Sequence, residues 1–254
     1  MIQKIHDPAL TEAMFSSMDD TLILSAHQGF MGEIYGVGEG PIRSAAVVCG
    51  DFSFFAGEPD EELAKYVPTG CGKQYTIAVP ENLQWCRMLE IVHGRCAVQR
   101  TRYAIKRERE NFDSAHLRAI VKDVPKGYCL RRIDETLYRK CLEHSWSQDF
   151  VKNFRDYDQF RRYGLGYVMM FDKQIIAGAS SYTAYRDGIE VEVVTREDHR
   201  RKGLASVCAA ALVLRCLEMG KYPSWDAANI RSVGLAEKLG YHFSHSYPVY
   251  EIYK

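Results

Sequence analysis

One segment constrains the fold of this chain more than any other: Val193-Val194-Thr195-Arg196-Glu197-Asp198-His199-Arg200-Arg201-Lys202-Gly203-Leu204-Ala205. An apolar, strand-like run enters a charged turn. The turn opens directly into a long helix-like run of small and apolar residues, among them Ala205, Val207, Cys208, Ala209, Ala210, Ala211, Leu212, Val213 and Leu214. A helix apolar around most of its circumference belongs in a core, so its start is held in place. The first N–H groups of a helix lack partners within it and carry partial positive charge. Gly203 lets the backbone approach a ligand with no Cβ in the way. Arg200, Arg201 and Lys202 stand beside it. These residues suit a phosphate or pyrophosphate cradle. On their own they suit equally a basic helix start on a solvated surface.

The rest of the composition limits what such a cradle serves. The chain has 254 residues, with 33 basic against 33 acidic side chains and a formal net charge of zero. A neutral balance argues against a general nucleic-acid binder, which needs a basic excess to displace counterions. Apolar residues at 46% and charged residues at 26% exclude wholesale disorder, and the length suits one large domain or two small ones. No uncharged stretch is long enough to span a bilayer, and residues 1–10 carry charge and Pro8 with no apolar h-region. A cytoplasmic protein with no membrane partner is expected. Cys49, Cys71, Cys86, Cys96, Cys129, Cys141, Cys208 and Cys216 include no C-x-x-C pair, so reduced, mostly buried thiols are expected. His242 and His245 lack a third ligand nearby, and no metal site is expected.

Along the chain, Val124-Pro125-Lys126-Gly127 marks a break, and a domain boundary is placed at 125–127. This divides an N-terminal α/β domain, 1–124, from a second domain, 125–254. In the first, 10–18 reads as a short helix, 21–25 and 32–35 as extended, and 36–40 as a tight glycine turn. Gly50-Asp51 separates two apolar strands as a hairpin, while 58–66 and 82–92 read as helices. The mixed charges of 106–122 suggest a solvated element. In the second, 128–132 is strand-like, Asp134 caps a helix to about Cys141, and 148–163 is helical. Strands at 167–171 and 174–181 flank Asp172-Lys173, and 182–185 extends the second of them. A strand at 189–195, a helix at 205–219, a short strand at 222–226, a helix at 229–239 and extended segments at 241–253 follow. The order predicts a mixed α/β sheet with helices on its faces.

At this point the residues resemble a known family. Arg200-Arg201-Lys202-Gly203-Leu204-Ala205 is similar to the R/Q-x-x-G-x-G/A signature of the GNAT superfamily of acyl-CoA-dependent N-acyltransferases. Asn229-Ile230-Arg231-Ser232, followed by Ala236-Glu237-Lys238-Leu239-Gly240-Tyr241, resembles the family's N-x-x-S/A…L-G-F/Y element. The resemblance covers about 128–254, and the whole chain is similar to a bacterial GNAT branch with an extra N-terminal half. It implies an α/β (α+β) fold with a mixed, largely antiparallel GNAT-type sheet flanked by helices.

The resemblance also implies acetyl-CoA as co-substrate and an unidentified primary amine as acceptor. The pantetheine arm would lie in a gap between splayed strands, paired with Val193, Val194 and Thr195. The pyrophosphate would rest on the amides of Arg201, Lys202, Gly203, Leu204, Ala205 and Ser206, aided by the Arg200 side chain. Asn229 and Ser232 would line the coenzyme, although an asparagine there is also a favoured helix cap. Direct attack of an amine on a thioester needs a base, oxyanion donors and an acid for the thiolate. Glu190 and Glu192 share a strand face and are the candidate bases; on a solvated face they would be merely two acids. A strand N–H near Val194 is the candidate oxyanion donor. Ala236 stands where many members carry the acid, a tyrosine, which leaves Tyr241, Tyr247, Tyr250 or water. A non-catalytic acyl-CoA-binding regulatory module is therefore the alternative. For 1–124, a degenerate related domain, a lid or a homodimer surface stay open.

Overall fold

A computed structural model describes residues 1–38, 40–66 and 75–253. Cys71, and Glu39 of the expected glycine turn, lie outside the described residues. The chain runs β1 (Gln3–Lys4), 3₁₀ turns at Pro8–Leu10 and Glu12–Phe15, α1 (Thr21–His27), β2 (Glu33–Val37), β3 (Ser44–Cys49), β4 (Phe52–Gly57), α2 (Glu61–Lys65), β5 (Tyr75–Pro80), α3 (Leu83–His93) and β6 (Ala97–Ile105). It continues through α4 (Ser114–Lys122), β7 (Cys129–Arg132), α5 (Glu135–Cys141), a 3₁₀ turn at Gln148–Phe150, α6 (Tyr157–Tyr163), β8 (Gly166–Phe171), β9 (Gln174–Tyr185) and β10 (Gly188–Thr195). After a 3₁₀ turn at Glu197–His199 come α7 (Leu204–Glu218), β11 (Tyr222–Ser224), β12 (Asp226–Ala227), α8 (Ile230–Lys238) and β13 (Phe243–Tyr253).

Two compact units emerge, Met1–Arg102 with Ser246–Lys254, and Tyr103–His245. The boundary expected at 125–127 falls inside the second. The reason is α4, which precedes that point: its Leu117 is fully buried and the helix packs on α7. Only part of 106–122 is therefore a solvated surface.

In the first unit the strands are ordered β1-β2-β3-β4-β5-β13-β6. β1 to β4 pair antiparallel in sequence, β4 and β5 pair parallel, and β13 returns antiparallel beside β5. The core gathers Phe55, Leu63, Trp85, Leu89 and Tyr250. Burying a side chain of this size contributes about 2–3 kcal/mol. The hairpin expected at Gly50-Asp51 is present as β3–β4. Residues 21–25, expected to be extended, form α1 instead. The Asp20 carboxylate accepts from Leu22 N at 2.7 Å and caps the helix, while Leu22, Ile23 and Ala26 bury its apolar side. The segments expected to be single helices at 10–18 and 148–163 are each broken, the second into a 3₁₀ turn and α6, which Asp156 caps.

In the second unit the order is β11-β10-β9-β8-β7. β7 to β10 are antiparallel in sequence, and β10 and β11 are parallel. Residues 103–104 of β6 add to this unit by pairing with β12. Both units thus present the same series: a strand, helices, three antiparallel strands, a helix, a parallel fifth strand and another helix. α5, the 148–150 turn and α6 cover one face, where Phe150 packs against Gly178. α7 covers the other, with Cys208 beside Met169.

Candidate functional site

The parallel pairing of β10 with β11 stops early. Only Gly188, Ile189 and Glu190 have partners, in Tyr222, Pro223 and Ser224. Among the described residues no strand pairs with that edge of β10 at 191–195, although β9 pairs with its other edge as far as Thr195. Val193, Val194 and Thr195 are half-buried on this open edge. Glu190 marks the fork. It is 7% exposed, and its Oε1 accepts from Asp226 N at 2.8 Å, so a side chain satisfies a backbone N–H just past the end of β11. Glu192 pairs with Ser180, whose hydroxyl donates to Phe150 O at 2.7 Å, so Glu192 faces the α5–α6 side of the sheet, as Glu190 does. Glu192 lies along the open stretch and Glu190 at its closed end.

β10 leads into the basic turn. Arg196 anchors its entrance, with two bonds to Asp198 at 2.7 and 2.9 Å and one to Gln174 at 2.7 Å. Arg201 (φ 64°) and Gly203 (φ 77°) are both left-handed. Left-handed residues alternating with others build anion-binding concavities. Gly203 is the N-cap of α7, and no side chain caps that helix. A Cβ at Gly203 would meet nothing within 4 Å, so space lies open before the helix start. Arg200, Arg201 and Lys202 are exposed, Ala205 and Ser206 are half-buried, and Leu204 is buried and pins the helix to the core.

Asn229 caps α8, its Oδ1 accepting from Arg231 N and Ser232 N at 3.0 and 3.1 Å. Ser232 Oγ accepts from Trp225 Nε1 at 3.0 Å. Tyr241 is buried, and its hydroxyl donates to Pro223 O at 2.7 Å. Burial holds its pKa well above the ordinary value, which disfavours proton release there. Ala236 is fully buried. Tyr247 and Tyr250 belong to the first unit, where the Tyr250 hydroxyl donates to Glu90 at 2.6 Å. Among the described residues no group of three His, Cys, Asp or Glu side chains could hold a metal, and the seven described cysteines are free thiols.

Two residues near the turn escaped the sequence reading. Tyr128 and His199 are 71 positions apart, and their side chains meet, hydroxyl to Nδ1, at 2.8 Å. Tyr128 read only as the start of a strand after the break at 124–127, and His199 only as part of the charged turn.

With this geometry in hand, comparison with known proteins is direct. The family model for GNAT acetyltransferases matches residues 12–250, and the chain belongs to that family. A crystal structure of a GCN5-related N-acetyltransferase-like protein from Streptococcus suis 89/1591 is similar at 41% identity and a TM-score of 0.91, covering 96% of this chain and 98% of that one. An uncharacterized N-acetyltransferase, YdfB, from Bacillus subtilis (strain 168) is 30% identical over 132 residues, 50% of this chain and 49% of that protein. The chain thus matches about half the length of that curated relative. A tandem GNAT protein from the clavulanic acid biosynthesis pathway shares the fold at a TM-score of 0.54 and 9% identity, over 99% of this chain and 96% of that one. No described helix is long and apolar enough to cross a membrane.

Proposed function

We propose that this chain transfers an acetyl group from acetyl-CoA to a primary amine by direct attack. The observation that carries the reading is the open edge of β10 at 191–195 leading into an uncapped, glycine-started helix flanked by three cations. Backbone amides and carbonyls at Val193, Val194 and Thr195 bind the pantetheine arm. The amides of Arg201, Lys202, Gly203, Leu204, Ala205 and Ser206, with the Arg200 side chain, hold the pyrophosphate. Asn229 keeps its Nδ2 donors for the coenzyme side, since its Oδ1 is occupied in capping. Ser232, which accepts from Trp225, retains a proton to donate.

Glu192, on the open stretch, is the favoured general base, directly or through water. Glu190 holds the fork open through Asp226 and orients the strand beneath it. The N–H near Val194 stabilises the developing oxyanion. With Tyr241 locked onto Pro223, water supplies the proton to the departing thiolate, a good leaving group.

The first unit reads as a degenerate second copy of the same fold, because its strand order and its parallel pair β4–β5 repeat those of the second. A non-catalytic acyl-CoA-binding module is the second reading, favoured by Ala236 and the engaged Tyr241. Titration with acetyl-CoA, followed by a thiol-release assay across primary amines, separates the two. Binding with release on some amine supports transfer. Binding without release on any amine supports the module, and no binding removes both.

A further inference from the structure

We propose that Tyr128 and His199 are positioning residues that hold Lys202 ready for an anionic group of the coenzyme; this rests on the acetyl-CoA reading above. The Lys202 ammonium donates to the Tyr128 hydroxyl at 3.2 Å and lies 5.9 Å from the centroid of its ring. An ammonium only donates, so the phenol oxygen accepts. The phenol oxygen also meets His199 Nδ1 at 2.8 Å, so one hydroxyl joins the lysine to the imidazole. Nε2 faces Asp198 at 3.6 Å, and Asp198 is gripped by Arg196. The contacts run without a break from Lys202 through Tyr128 and His199 to Asp198.

The surroundings fix the phenol. Phe171 lies 4.9 Å from the Tyr128 ring centroid and 5.5 Å from that of His199, and His199 meets Tyr128 edge-on at 5.8 Å. Gly127 (φ 88°) precedes Tyr128 and lies against Phe171, which a Cβ there would touch at 3.4 Å. His199 is 9% exposed and immediately precedes Arg200. A lysine on a turn is ordinarily a flexible point charge that must be ordered when an anion arrives. Here one of its three donors is already spent on Tyr128, and the other two remain for a phosphate oxygen.

The test uses the full chain, calorimetric titration, and two ligands, acetyl-CoA and S-acetylpantetheine, which lacks the phosphates. Tyr128→Phe is expected to weaken acetyl-CoA about ten-fold and leave S-acetylpantetheine unchanged. In a Lys202→Met background the added Tyr128→Phe should cost nothing more, and His199→Gln should reproduce part of the loss. An unchanged acetyl-CoA affinity in Tyr128→Phe, an equal loss for both ligands, or additive losses in the double variant would overturn the assignment. Absence of acetyl-CoA binding by the unsubstituted protein would instead overturn the coenzyme reading on which it rests.

Discussion

The two units repeat one order of strands and helices, yet their fourth strands end in opposite ways. Among the described residues no strand pairs with one edge of β10 at 191–195. β4 pairs with β5 through Phe55, and its last residue is closed off by its own unit: Gly57 N donates to Glu81 at 3.1 Å, and Gly57 O accepts from the Trp85 indole at 2.9 Å. The helices that follow differ likewise. α7 starts at an uncapped glycine among cations, whereas α2 starts at Asp60, whose carboxylate accepts from Leu63 N at 2.8 Å beside Glu58, Glu61 and Glu62. In the first unit protein groups fill the places that the proposed coenzyme takes in the second, and the local charge repels an anion. A shared topology supplies the fork; the residues at its mouth decide whether anything enters.

Five substitutions press on this difference. β4 carries no carboxylate, whereas β10 carries two. Glu192→Gln is therefore expected to lower kcat by roughly 10²–10⁴ with acetyl-CoA affinity unchanged, read by steady-state kinetics and titration. An equal or larger loss from Glu190→Gln would exchange the roles of the two. Gly203→Val should weaken acetyl-CoA by about 100-fold or more, because a side chain enters the space before α7 and the left-handed backbone is strained.

Gly57 provides the contrast. A Cβ there would sit 2.3 Å from Arg43 O, so Gly57→Ala should cost about 2–4 kcal/mol in chemical denaturation while acetyl-CoA affinity holds. One glycine borders open space and the other a packed neighbour. Asp60→Ala, the mildest, should remove a helix cap worth about 1 kcal/mol without creating a second coenzyme site.

What the sequence made legible follows from range. The basic turn, Gly203, the α7 run and the Asn229 cap are local patterns, and each lies where the residues implied. The strands flanking Asp172 and Lys173 were equally local, since both residues take the left-handed backbone of a tight hairpin. Thr21 to Ser25 misled because Thr21, Ile23 and their apolar neighbours favour a strand, and only the Asp20 cap and tertiary burial make them a helix. The unit boundary was obscured by Leu117, whose burial against α7 depends on contacts nearly a hundred residues away in the chain. The repeat was hidden for a similar reason. Parallel pairing of β4 with β5 and the return of β13 are long-range, and β4 is followed by no basic, glycine-started helix that would resemble the turn before α7. Tyr128 and His199 meet only after folding, so no spacing could announce them.

The most direct test of the account is the stoichiometry of acetyl-CoA binding to the full chain by titration calorimetry. One coenzyme per chain, abolished by Gly203→Val and untouched by Gly57→Ala, is the predicted result. Two per chain would contradict the closed reading of the first unit, and none would contradict the open reading of the second.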